Sequence, residues 1–383
     1  MAEFLQLMED WDGFRPVAPA TLNEAAMSRF VDLLANKGRL PAHRHQYLLQ
    51  EAITMADFPN LFGGVLDRSM LARYRSAPSP WRAYTKIGSS RDFRVKTLHK
   101  VQGNDTALPR VREKEEYPIA PMSDFHYDLQ VVKYGRQFDI SWEAIINDVY
   151  NAMGDIPQRF ASAAVDTVAQ AVSRLYCGAA APAAALFGAP IVDIDGQNVT
   201  NLGILPLSIP NLEATLLLMA AQQDVNGRPL GIRGVHLVVP PALELTARQI
   251  LSSTWVQQVD TAGAANAVVS TFVPLPTANV LPQMGLQLHV DPWIPIVMPV
   301  AAANRTWFLF ADYNQGAPFE LDFLSGHEEP EIVMKASNKV TTGGGLLDPM
   351  GGDFESDNIL YRVRHCHGGV ALDPRAAYAQ VGP

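Results

Sequence analysis

Cysteine is nearly absent: the 383 residues hold two, Cys177 and Cys366. Two thiols make no disulfide framework and suit a reducing compartment, and each reads as a small core residue before it reads as a nucleophile. No stretch approaches the roughly 18 consecutive apolar residues that a bilayer crossing needs. The first residues, with Glu3, Glu9 and Asp10, lack the basic region and apolar core of a signal peptide, so neither a membrane nor secretion is expected. The sequons at Asn198 and Asn304 then carry no glycosylation meaning. Also missing are Gly-x-Ser-x-Gly, the phosphate-binding Gly-x-x-x-x-Gly-Lys, His-Glu-x-x-His and Cys-x-x-Cys, which removes the common nucleophile, nucleotide and zinc signals. No repeat of solenoid period occurs.

What is present is a hydrophobic content of 48%, ample for a packed core, in a chain long enough for two or three domains or one elaborated domain. The formal net charge is −9, yet between Arg82 and Lys114 nine lysines and arginines oppose only Asp92, Asp105 and Glu113. That segment is basic by +6, which leaves −15 on the remainder. Its pattern predicts a strand over Asp92 to Val101, with Phe93, Val95 and Val101 on one face and Arg94, Lys96 and Lys100 on the other. A second alternating run places Phe125, Tyr127, Leu129 and Val131 on one face. Between the runs lie 22 residues, Gln102 to Ser123, a connection far beyond a hairpin turn and of the length that is usually functional. A two-stranded ribbon is marginal alone, so its apolar stripe needs a partner surface, which another subunit can supply.

Upstream, Thr21 and Glu24 form a capping box ahead of Leu22, Ala26, Phe30 and Leu33, Gly38 is a stop signal, and a second helical stretch covers His43 to Met55. These short helices read as an arm that docks elsewhere. Downstream, Ser141 is a candidate cap for a helix carrying Trp142, Ile145, Ile146 and Val149. Asp155 caps a longer helix that ends at Gly178, with the stripe Phe160, Ala164, Val168, Ala171 and Leu175. An irregular stretch rich in Ala, Pro and Gly covers 179 to 206. Helices from Ser208 and over Ala242 to Leu251, and strands at Val235 to Val239, Leu286 to Val290 and Thr306 to Phe310, then make an α+β unit.

The exit of the ribbon, Tyr134-Gly135-Arg136-Gln137-Phe138-Asp139-Ile140-Ser141-Trp142-Glu143, is followed far downstream by Phe319-Glu320, Phe323-Leu324, Gly326 and Glu329-Pro330. The chain closes on Phe354, Ser356, Asp357, Tyr361, Val363, Arg364, Gly368, Asp373, Tyr378 and Gly382. From about Pro80 onward this pattern resembles phage major capsid proteins, and among them the phage Mu-type major head subunit family. The resemblance implies an α+β Hong Kong 97-type capsid fold. It divides the chain into an N-terminal arm (1–60), a peripheral domain (61–82 with 141–206 and 315–383), an extended loop (83–140) and an axial domain (207–314). It implies a shell of hexamers and pentamers built from copies of this chain, enclosing double-stranded DNA without reading its sequence. A scaffolding protein, a portal, a maturation protease and decoration proteins are the implied partners, and the implied location is the virion after assembly in the host bacterial cytoplasm. With the chain starting at Met1 and no coiled-coil pro-segment, scaffolding is expected to be a separate polypeptide. The residues expected at the inter-subunit contact are Arg91, Arg94, Lys96, Lys100, Arg110, Arg112 and Lys114, with no catalytic residue, metal or cofactor.

Rival readings exist. Within the same fold, a nanocompartment shell would hold a cargo enzyme and no genome. From another class, His365 and His367 point to one face of a strand as two zinc ligands do, and His289 with Asp291 could complete a metal-dependent enzyme. Glu328, Glu329 and Glu331 beside Pro330 read as a solvated turn rather than as paired catalytic carboxylates. In some members of the fold a loop lysine forms an amide bond with a neighbour's asparagine; Lys96, Lys100 and Lys114 with Asn338 and Asn358 are the available residues, and no spacing selects among them. Nucleic-acid stacking by Phe93, His99 and Tyr117 is opposed by Glu113, Glu115 and Glu116 at the ribbon tip.

Overall fold

The computed structural model describes residues 70–103, 110–114, 116–117, 122–141, 156–193, 196–224, 227–257, 276–335, 337–339, 342 and 353–383. The arm helices expected before residue 60, the body of the helix expected after Ser141, the Asp155 cap and the glycines at 343–345 lie outside the described residues.

In chain order the main elements are β1 (Lys86–Ser90), β2 (Lys96–Gly103), β3 (Met122–Leu129), β4 (Val132–Ser141), the helix α1 (Ile156–Tyr176), β5 (Leu202–Gly203) and α2 (Ile209–Ala220). There follow β6 (Gly234–Val239), α3 (Glu244–Ser252), β7 (Gln287–Val290), β8 (Thr306–Ala311), β9 (Phe319–Leu324), β10 (Glu331–Met334), β11 (Asn358–Ala371) and β12 (Ala377–Val381). The chain divides into two units: residues 69–137, 152–331 and 362–383 form the larger, and 1–68, 138–151 and 332–361 the smaller.

The larger unit is organised around β8, whose six residues Thr306 to Ala311 are all buried. A strand buried on both faces needs an unbroken apolar run, which Trp307-Phe308-Leu309-Phe310-Ala311 supplies. Phe308 and Phe310 enter one core with Val168, Val172 and Tyr176 of α1. Trp307, Leu309 and Ala311 enter a second core with Leu212, Leu216 and Met219 of α2 and Ala247 and Ile250 of α3. The sheet order is β7-β6-β8-β12-β5, with β8 antiparallel to both its neighbours.

The closing strand departs from the expected division of the chain. Residues 377–381 were assigned with 315–383 to the peripheral domain, but β12 pairs with β8 from Phe310↔Ala377 to Thr306↔Val381, inside the sheet of the unit predicted for 207–314. The inner edge of β8 has backbone groups that must be satisfied, and the small Ala377 and Ala379 fit beneath α1, where they join the core of that side.

The burying face of α1 also differs by a fraction of a turn from the predicted stripe. Ala161, Ala164, Val168, Val172 and Tyr176 are buried, while Phe160, Ala171 and Leu175 are half-buried. The seam runs from the small Ala161 and Ala164 to the large Tyr176, with Phe160 and Leu175 flanking it.

A second sheet contains β1-β9-β11, with β1 parallel to β9 and β9 antiparallel to β11; β4 and β10 also pair with β11. The division between units falls within β4, β10 and β11. In the smaller unit, Ile359 and Tyr361 are buried with Phe138, Ile140, Ile332 and Met334 packed around them. Phe138 stacks on Tyr361 at 5.1 Å.

Candidate subunit interface

The ribbon is β2 paired with β3, antiparallel, from Lys96↔Leu129 to Gly103↔Met122. Gln102 and Ser123, read from sequence as part of the connection, belong to the ladder, and the tip is confined to 104–121. The strand begins four residues later than its apolar alternation suggested. Residues 91–94 bend, the Arg94 amide donates to Asp92 Oδ1 at 3.1 Å, and Phe93 and Val95 remain 45% and 52% exposed. Asp92 competes for the backbone through its own side chain, which favours a turn over a ladder.

Residues directly opposite in an antiparallel pair share a face. Lys96, Leu98 and Lys100 therefore stand beside Leu129, Tyr127 and Phe125, while Thr97 and His99 stand beside Asp128 and His126 on the other face with Asp124. The second set is exposed throughout. The lysine face is the one turned onto the chain itself, because Leu129, Val131, Leu324 and Cys366 bury together at the ribbon's foot with Leu98 and Val370 against them.

Both lysines consequently meet acids of their own chain. Lys96 Nζ lies 2.6 Å from Asp322 Oδ2 and 3.7 Å from Glu320 Oε1, and donates to the Ser89 carbonyl at 3.1 Å. Asp322 has no exposed surface, and its other partner is the Ser90 hydroxyl at 2.6 Å. Glu320 is held in addition by Lys86 at 2.7 Å. β1 approaches these carboxylates so closely that a Cβ on Gly88 would overlap Asp322 Oδ1, which is why glycine stands there. Lys100 Nζ lies 2.8 Å from Asp373 and 3.5 Å from Asp193, and Arg375 donates to the same Asp193 oxygen at 2.5 Å.

Of the seven cations expected at the contact, Lys96 and Lys100 thus point inward, and the basic face is not the outer face of the ribbon. Arg91 and Arg94 at its base, and Arg110, Arg112 and Lys114 toward its tip, are exposed. Sequence reading missed the buried acids Glu320, Asp322 and Asp193. The available signal was the inward run Phe125, Tyr127 and Leu129, which in register commits positions 100, 98 and 96 to the same face.

The rival metal site does not assemble as expected. His365 and His367 do share a face of β11, with ring centroids 5.3 Å apart. His289 instead meets His236 at 3.0 Å, and Asp291 receives the Ser173 hydroxyl at 2.5 Å, the Tyr176 hydroxyl and the Trp293 amide. Among the described residues, no three of His, Cys, Asp and Glu come together in a way that could hold a metal. Both cysteines are buried, and burial pushes their thiols up, away from the thiolate form a nucleophile needs. Glu329 is clasped by Arg75 at 2.7 and 2.8 Å, and Glu331 by Arg364 at 2.7 Å, so these two acids of the turn are ion-pair partners. Asn358 donates to Asp139 at 3.1 Å, and Asn338 accepts the Phe354 amide at 2.8 Å. No described helix is long and apolar enough to cross a membrane.

Residues 127–380, most of the chain and nearly all of both sheets, match a family model described as phage capsid protein. The chain belongs to the phage capsid protein family. Its role is therefore structural: it is a subunit of the head shell, it associates with itself, and its place is the virion. The α+β architecture accords with the Hong Kong 97-type fold. Solved structures similar to this capsid protein include one from Gordonia phage Cozz, at 11% identity and a TM-score of 0.45 over 78% of this chain and 85% of that one. Another, from Microbacterium phage Oxtober96, has 10% identity and a TM-score of 0.46 over 80% and 92%. The capsid of Cyanophage P-SCSP1u gives 9% identity and 0.45 over 79% and 88%. The family assignment rests on the family model and not on these distant likenesses. No curated protein matches.

Proposed function

We propose that this capsid protein is the major head subunit of an icosahedral shell of hexamers and pentamers around double-stranded DNA, closest in kind to the phage Mu-type subunit. It has no catalytic role of its own. The observation that carries this reading is the ribbon: clamped at its foot by Lys96 and Lys100, it leaves Arg91, Arg94, Arg110, Arg112 and Lys114 exposed in an otherwise acidic chain. Cations projecting from one copy, and an acidic remainder on the next, make a heterologous contact that a rotation can close. Repetition around the shell then converts weak single contacts into a stable whole through effective concentration.

On this reading the arm, peripheral, extended-loop and axial divisions follow the family pattern, with the closing strand lent to the axial sheet. Assembly takes place in the host bacterial cytoplasm with a scaffolding protein, a portal and a maturation protease, and decoration proteins can bind the outside. The deciding experiment is charge reversal of Arg91, Arg94, Arg110 and Lys114 together. Shell yield in electron micrographs should fall at least tenfold while the circular dichroism spectrum of the subunit is unchanged. Undiminished particles would refute the role given to these cations.

A further inference from the structure

The histidine pair of β11 is not among the residues proposed for the assembly contact, and its surroundings are unusual. His365 and His367 are 4% and 0% exposed. Phe323 of β9 lies 5.6 Å from the first ring and 6.4 Å from the second, and Tyr74 of the helical segment 70–76 meets His365 edge-on at 5.6 Å. Tyr134 of β4 stacks on His367 at 4.4 Å, with 25° between the planes. Only one of the four ring nitrogens has a hydrogen-bond partner: His365 Nε2 donates to the Glu328 carbonyl oxygen at 3.1 Å. His365 Nδ1 and both nitrogens of His367 have none.

The charged groups around the pair offer no full counter-ion: the charge of Glu329 favours a proton on His365, but burial outweighs it. The 328–331 turn brings Glu329 and Glu331, but the first is clasped by Arg75 and the second by Arg364. Beyond Tyr74 stands Arg82, and β4 contributes Lys133 beside Tyr134, both of the wrong sign. Cys366, between the two histidines, packs on the other side with Leu129 and Val131. A proton taken up by His367 would therefore create a buried cation with no carboxylate to meet it, one on His365 would have only Glu329, already clasped by Arg75, and a second would place two cations at a ring separation of 5.3 Å.

We propose that His365 and His367 form an acid-operated release for β4, the strand on which the ribbon rejoins the sheet. Of the elements around the pair, β4 is the one free to give way: residues 132–137 are exposed throughout, whereas Phe323 and Tyr74 are buried. Lifting Tyr134 away admits water to His367, the more enclosed ring.

The sign of the effect follows from the same burial. Desolvation, and for His367 the neighbouring His365, holds both rings below the ordinary histidine value, His367 at about 3. The unfolded or released chain takes up protons below about pH 6.5, whereas the packed rings take them up only at lower pH. Stability is thus complete above that pH and lost as pH falls through the window from about 6.5 toward 3. His367 multiplies the opening equilibrium by up to about tenfold per pH unit in that window, and His365 adds to it in the same direction.

Hydrogen exchange on the full chain, read as protection factors for residues 132–137 at pH 7.0 and 4.5, tests this. Protection should fall at least about thirtyfold in the native chain, and less than threefold in the double variant His365→Phe, His367→Phe. Equal losses in both, or no loss in the native chain, would overturn the proposal. Should the variant fail to fold, ring-labelled histidine in the native protein decides: the ring signal in contact with Tyr134, that of His367, staying neutral at pH 5 supports it, and its titration in the ordinary range with protection intact refutes it. Neither outcome depends on whether the ribbon's cations drive shell formation.

Discussion

At the scale of single residues, the ribbon's two lysines are not equivalent. Asp322 is fully buried and has Lys96 as its cation, so Lys96→Met strands a buried carboxylate; because Lys96 is itself a third exposed, a loss of about 2 kcal/mol is expected, below the range for a fully buried pair. Asp193 keeps Arg375 when Lys100 goes, and Asp373 is partly exposed, so Lys100→Met should cost about 1 kcal/mol or less. Urea unfolding of the two variants side by side checks the ranking, and equal losses would contradict it. Glu331 gives a second residue-level expectation. Burial pushes its carboxyl up, but hydrogen bonds from His327 and Arg364 outweigh that and hold it below the usual carboxylate range. Because its pKa is depressed in the folded state, its contribution is present above that range and lost as pH falls through it. Arg364→Met should flatten the stability profile between about pH 5 and 3, measurable by thermal unfolding across that interval.

At the scale of elements, β8 and α1 carry the larger unit. β8 separates two cores and shares backbone bonds with β6 and β12, so a cavity there is felt on both sides of the sheet. Phe308→Ala removes the ring that meets Tyr176 at 5.0 Å and Phe187 at 5.6 Å, and should cost about 4 kcal/mol in chemical denaturation. A loss below about 1 kcal/mol would mean that the α1 side of the sheet repacks freely. These elements were legible in the sequence: the apolar runs at 235–239 and 306–310, the strand at 286–290 and the helices from 208 and 242 lie where periodicity placed them. The ribbon was legible in existence but not in facing. Alternation fixes which residues share a face, and Lys96 and Lys100 do share one; which of two faces turns inward depends on Leu324, Cys366 and Val370, more than 190 positions away.

At the scale of the whole molecule, an acidic chain with an exposed cationic loop should assemble in a salt-dependent way. Screening over roughly 10 Å at 0.1 M ionic strength weakens exposed pairs far more than the clamp on Asp322. Raising salt from 0.05 to 0.5 M should therefore slow shell formation, followed by light scattering, while leaving the subunit's own unfolding transition nearly unmoved. Assembly indifferent to salt would shift the weight from charge to the exposed apolar groups Phe93, Val95 and Val132.

The sequence alone determined the α+β class, the positions of the core strands and helices, the presence of a basic ribbon and the likeness to capsid proteins. All of these rest on local periodicity, turn chemistry and motif spacing, which neighbouring residues write into the chain. Tertiary structure alone decided that β12 completes the sheet of β8, that the ribbon's lysines grip buried acids, and that His365 and His367 are buried beside each other. Those outcomes join residues far apart in the chain, and burial, which sets the cost of every unmatched charge, exists only once the distant partners have met.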